Sequence, residues 1–147
     1  MKLLNSAILL ILCLFLASCA APDVEHYKGS SPEFNFKQFF NGKLKAYGVV
    51  QDFKGELTRK LVVDMDASWE GNVGVIEEDF IYDDGETQRR VWTITLNDDN
   101  TLTGTASDVL GIAKGASSGS VFHWTYSLEL LVDGSQIEVN FDDWMYQ

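Results

Sequence analysis

The sequence predicts an all-β fold, an antiparallel meander of strands that curls into a barrel, and three observations predict it. From about Phe34 onward apolar residues recur at every second position, the period of a strand with one dry and one wet face. Turn-forming clusters such as Gly71-Asn72, Asp83-Asp84-Gly85 and Asp98-Asp99-Asn100 separate those runs at short intervals. The 147 residues are 46% hydrophobic and 12% aromatic, enough for one domain with a substantial core.

The elements follow in order. A first hairpin runs from Leu44 to Val50 and turns near Lys54-Gly55. Leu61, Val63, Met65, Ala67 and Trp69 form the next stripe, and a Gly71-Asn72 loop sets Val63 opposite Phe80 and Leu61 opposite Tyr82. A three-residue Asp83-Asp84-Gly85 loop, with Gly85 left-handed, sets Ile76 opposite Trp92. Asp98-Asp99-Asn100 does the same with Asn100 left-handed, pairing Leu96 with Leu102 and Trp92 with Ala106. The longest stripe is Phe122, Trp124, Tyr126, Leu128, Leu130 and Val132; a Gly134-Ser135 loop sets Val132 opposite Ile137 and Leu128 opposite Phe141. Each register brings both apolar stripes to one face, the condition for a credible pairing. Seven strands are expected, with a long connection from Asp108 to Gly119 and a competing short helical period over 106–116. A phase slip from Phe141 to Trp144 predicts a bulge at Asp142-Asp143. Gly48 and Gly104 are placed within strands to relieve the curl. A half-open β-sandwich is the alternative architecture.

The N-terminus carries an address. Lys2 precedes the unbroken apolar run Ala7 to Ala17, too short to span a bilayer and suited to a signal-peptide core. The run ends in Leu16-Ala17-Ser18-Cys19, which resembles the bacterial lipobox: a branched apolar residue, two small residues and the cysteine that is acylated. The division expected is a signal peptide over 1–18, a lipidated tether over 19–33 rich in Pro, Gly and Ser, and one β domain over 34–147. Cleavage removes Cys13 and acylation consumes Cys19, so no disulfide is expected. Resemblance to Gram-negative lipoproteins, with Ala20-Ala21 after the cysteine instead of an aspartate, implies an outer-membrane anchor facing the periplasm.

The same registers gather a charged constellation on the inward face. Glu78 falls opposite Arg90, Arg90 falls opposite Asp108, and Trp92 shares their face. Buried charges must be paired or they cost several kcal/mol each. Two readings fit: an ion network that closes one end of the barrel, or a polar anchor for a ligand head group. In the second, the ligand tail lies along Phe80, Trp92, Trp124, Tyr126 and Leu128.

Composition argues against other chemistries. With 22 acidic and 11 basic residues the net charge is -11, which leaves no basic surface for nucleic acid. The acidic turns lack the spacing of a calcium loop, and His26 and His123 stand apart without a cysteine partner, so no metal or other cofactor is expected. No nucleophile motif or phosphate-cradling loop occurs, and an enzyme is not predicted.

Several stretches together resemble the DUF3833 family of bacterial lipoproteins, whose function is uncharacterised. They are Gly48-Val49-Val50-Gln51-Asp52, Glu78 to Glu86 with Arg90-Val91-Trp92, Gly104 to Gly111, Trp124-Thr125-Tyr126, and Asp142-Asp143-Trp144-Met145-Tyr146. The resemblance implies an exported, lipid-anchored domain of lipocalin or calycin-like shape. It also implies a strand or two beyond the Trp-Met-Tyr segment, so the barrel is expected to be incomplete at its C-terminal side, with an unpaired edge. The function expected is binding of a hydrophobic or amphipathic, lipid-like ligand. The alternative is a structural lipoprotein that meets a protein partner through a sheet edge or its acidic face.

Overall fold

The computed structural model describes residues 22–132 and 134–147; the segment expected as a signal peptide, Cys19 and Ala20-Ala21 lie outside the described residues. Eight strands follow one another: β1 (Gly42–Gln51), β2 (Leu57–Glu70), β3 (Val73–Tyr82), β4 (Thr87–Leu96), β5 (Thr101–Thr105), β6 (Val109–Ser118), β7 (Val121–Val132) and β8 (Ser135–Tyr146). Each pairs antiparallel with the next in a single sheet of order β1 to β8, which excludes a two-sheet sandwich. The sheet curls strongly into a half-barrel, and among the described residues no ladder joins β8 back to β1. Strand twist accumulates into such a curl once one face must surround an apolar interior.

The registers follow from the turns. Val63 pairs with Phe80 and Leu61 with Tyr82; Ile76 pairs with Trp92 and Glu78 with Arg90; Leu96 pairs with Leu102. Gly85 and Asn100 take the left-handed conformation, at φ 88° and 61°, that three-residue loops require. Phe80, Trp92 and Trp124 therefore share the concave face. The first hairpin closes through Asp52, whose Oδ1 accepts the backbone N–H groups of Lys54 and Glu56 at 2.8 and 2.9 Å.

Three expectations are corrected. The stretch expected as a connection or short helix is strand β6, paired to β5 and β7, so there are eight strands and not seven. Its inward positions Ala113 and Gly115 are small because Trp124 and Phe122 fill the space above them. A stripe of large apolar residues was therefore never available to reveal it. In the last hairpin Val132 pairs with Ser135, Leu130 with Ile137 and Leu128 with Val139, two residues away from the expected register. A slip of two preserves the face of every side chain, so Phe141 still points inward, beside Tyr126. Finally, β8 carries no bulge at Asp142-Asp143. Trp144 instead sits on the outer face, stacked on His123 at 4.1 Å, while Asp143 points inward. The ladder irregularities lie at Val50/Gln51 and between Leu110 and Lys114.

The segment read as a tether lies against the sheet for most of its length. Val24–Tyr27 forms a 3-10 turn capped by Asp23, with Val24 buried, and Tyr27 packs on Trp144 and Tyr146. Ser30 then bonds Ser120, and the Phe34 N–H donates to the Gly119 carbonyl at 2.7 Å. The single-turn helix α1 (Phe36–Phe39), capped by the Asn35 side chain, drops Phe34, Phe36 and Phe40 into one end of the half-barrel. Phe36 meets Phe122 at 4.8 Å, and the Trp69 indole donates to the Phe40 carbonyl at 2.6 Å. The opposite end, at the β1–β2, β3–β4 and β7–β8 turns, has no such plug among the described residues.

A Cβ added at Gly115 would lie 2.5 Å from the Trp124 ring and 2.7 Å from the Phe122 ring. Gly115→Ala is expected to cost about 1–3 kcal/mol through overpacking, read as a lower urea midpoint at unchanged slope.

Candidate functional site

The middle of β3 and β4 brings chemistry to the concave face. Glu78 and Arg90 are cross-strand partners, so their side chains leave the sheet side by side. Asp108, just beyond β5, reaches Arg90 from the other side. The Arg90 Nε donates to Asp108 Oδ1 and Oδ2 at 3.1 and 2.9 Å, and Nη2 donates to Oδ2 at 2.7 Å. This is a fork-to-carboxylate contact, the strongest form of ion pair a side chain makes. Arg90 Nη1 faces Glu78 Oε2 at 3.7 Å. Its guanidinium also lies 5.3 Å from the Phe80 ring and 5.9 Å from the Trp92 ring, within reach of cation–π attraction.

Beside this group lies a cavity of about 260 Å³. Its apolar wall includes Ile76, Phe80, Trp92, Phe122, Trp124 and Met145, and Phe36 and Phe40 close it on the plugged side. Glu78, Arg90, Tyr126 and Asp143 supply its polar atoms. A groove between Leu44, Met65 and Phe39 adjoins it, sharing Phe40, Glu78, Phe80 and Met145, and is lined by residues of β1 and by Met145 of β8. Ligand pockets are built this way, from apolar walls and a few polar groups, although about 300 Å³ is the usual lower bound.

The electrostatics of the wall are uneven. Burial pushes the Glu78 carboxyl above the ordinary glutamate range, against the pull of the Arg90 charge and the Trp92 indole. Its Oε2 is buried with no hydrogen-bond partner. Burial likewise raises Asp143, although the Tyr126 hydroxyl donates to its Oδ2 at 2.8 Å. Tyr126 is itself raised, first by burial and then by the Asp143 charge. Arg90 is raised by Asp108 and Glu78 against the cost of burial, and stays charged.

The structure brings Glu78, Arg90 and Asp108 together, with Phe80, Trp92, Trp124 and Tyr126 on the cavity wall. Two placements differ from the sequence reading. Leu128 is buried in the core but does not line the cavity, and Asp108 lies behind Arg90, clamping it. Sequence reasoning missed Asp143, because the expected bulge disguised its parity, and the Phe36–Phe40 plug. The density of Phe34, Phe36, Phe39 and Phe40 directly after the proline-containing stretch was the available signal.

Fold and site define a class: a β half-barrel, plugged at one end, whose concave face holds a small apolar cavity with an ionic wall. The chain belongs to the DUF3833 family of proteins of unknown function, which it matches over residues 13–147. No curated protein and no solved structure matches it.

Two outcomes check this geometry. Arg90→Met strands the Asp108 carboxylate and is expected to cost about 3 kcal/mol in chemical denaturation, part of which Asp108→Asn restores. Glu78 carries a folded-state pKa above its unfolded value, so its contribution is present at low pH and lost as pH rises through the folded pKa. Glu78→Gln removes that loss. The variant should therefore gain stability relative to the wild type as pH rises above the ordinary glutamate range, measured by paired urea melts.

Proposed function

We propose that this protein is a lipid-anchored cell-envelope protein whose half-barrel holds one amphipathic molecule. The anchor is Cys19, acylated after cleavage of the signal peptide, and the location is the outer membrane, facing the periplasm. Acyl chains contribute about 0.8 kcal/mol per buried methylene, so a multiply acylated cysteine holds the protein firmly. The residues between Cys19 and Pro22 span at most about 10 Å when extended, and Val24 onward is docked. The domain therefore sits close to the bilayer instead of standing off on a long tether.

The observation that carries the binding role is an apolar cavity whose wall includes Glu78, a carboxyl with one buried oxygen that makes no hydrogen bond. Buried polar atoms without partners are rare in folded proteins and ask for an explanation. A ligand head at Glu78, with its tail along Trp92, Trp124 and Phe122 toward the plug, supplies one. The groove between β1 and β8 is the route of entry. The role is binding and not catalysis.

A second reading rests on the sheet edge. Among the described residues β1 has no strand on its outer side, and it exposes Tyr47 and Val49, at 77% and 60%, with Phe53 bare at its turn. Such an edge accepts a strand from a partner protein.

Native mass spectrometry of protein taken from its own membrane is expected to retain one amphipathic molecule per chain. Met145→Trp, at the junction of cavity and groove, should lower affinity for the neutral probe N-phenyl-1-naphthylamine by about tenfold, with the far-UV spectrum unchanged. An empty chain that binds no probe rejects the ligand role and leaves the sheet edge.

A further inference from the structure

The polar wall of the cavity constrains which head group it accepts. Two carboxyls, Glu78 and Asp143, share the wall with a single guanidinium whose charge Asp108 already pairs from behind, so the wall is short of positive charge. Arg90 is already committed: Nε and Nη2 are spent on Asp108, and Nη1 is turned to Glu78. A carboxylate or phosphate head would have to displace Asp108 from its fork while approaching two further acids. The Tyr126 hydroxyl hydrogen is likewise engaged, donated to Asp143. Beyond the Nη1 group of Arg90 and the indole N–H groups of Trp92 and Trp124, the wall offers acceptors: the carboxyl of Glu78 and the second oxygen of Asp143. Lys45, which lines the adjoining groove, is paired to Asp64 at 2.6 Å.

Resting on the ligand-binding role proposed above, we infer that the molecule held in the cavity carries a cationic, N–H-donating head, a primary amine, bound between Glu78 and Asp143. An ammonium brings three donors and the missing positive charge to acceptors shielded from water, where charge-assisted bonds are strongest. The aromatic rings of Trp92 and Phe80 flank the same spot and favour a cation over an anion there. The strand registers place this head toward the unplugged end, because Glu78 and Arg90 lie farther from the Phe36–Phe40 plug than Ile76 and Ile94 do.

The test compares octylamine, octanol and octanoate as displacers of N-phenyl-1-naphthylamine from the full chain, at about 0.15 M salt to screen the acidic surface. Octylamine is expected to displace the probe at about one-tenth the concentration of octanol, and octanoate to be weaker than octanol. Glu78→Gln, and separately Asp143→Asn, should bring the octylamine-to-octanol ratio to within about threefold of unity. Octanoate as the strongest displacer, or an amine preference that survives both substitutions, overturns the head-group assignment. Octanol displacement with no amine preference rejects the assignment while keeping the cavity as a binding site. Failure of the probe and all three alcohol, acid and amine ligands to bind rejects both.

Discussion

A sheet that curls without closing must keep its concave face out of water by some means other than its own far strands, and that requirement organises this molecule. The means is aromatic. Phe34 and Phe36 enter from the N-terminal side and meet Phe122, Trp69 and Trp124 from the sheet, with ring centroids 4.8 to 6.5 Å apart, and Phe40 packs on Phe36 at 4.6 Å. Stacked, tilted and edge-to-face contacts of this kind add about 0.5–1.5 kcal/mol each beyond the area they bury. The plug is held by backbone as well as by rings, through Phe34 to Gly119 and Trp69 to Phe40. The residues leading into it are bound on the outer surface through Tyr27 and Ser30.

Filling one end with rings forces small residues elsewhere. Gly104 and Gly115 lie under the Trp124 ring, and Ala113 is fully buried between β5 and β7. These positions are where the β6 segment loses its apolar alternation. Large residues on one strand and small ones on the facing strands amount to a single packing decision, since interiors are as dense as organic crystals. Space left over past Trp92 and Met145 becomes the cavity.

The ionic group sits where this aromatic filling stops. Arg90 is nearly as buried as its apolar neighbours, and the bidentate Asp108 contact makes that tolerable. Glu78 and Asp143 have no comparable partner, and burial raises both. An ion network serving stability alone would be expected to satisfy its acids. This one clamps its base on Asp108 and leaves Glu78 and Asp143, which line the cavity, without an equivalent partner. The outer face shows the contrast: Lys43 with Asp66, Lys45 with Asp64, and Arg89 with Glu77 and Asp79 pair across strands in solvent, where each contributes little.

Period-two alternation and turn chemistry are enough to place β2 to β5 in register and to bring Glu78, Arg90 and Asp108 onto one face with Trp92. Those features are local: a two- or three-residue loop with a left-handed Gly85 or Asn100 permits few registers, and parity does the rest. The family resemblance was likewise carried by short contiguous motifs. Tertiary structure alone decided that β6 is a strand, that Phe36 and Phe40 turn back into the half-barrel, that Trp144 faces out and Asp143 in, and that a cavity remains beside Glu78. Each depends on residues distant along the chain competing for the same interior volume, and side-chain volume summed across eight strands is not written in any one of them.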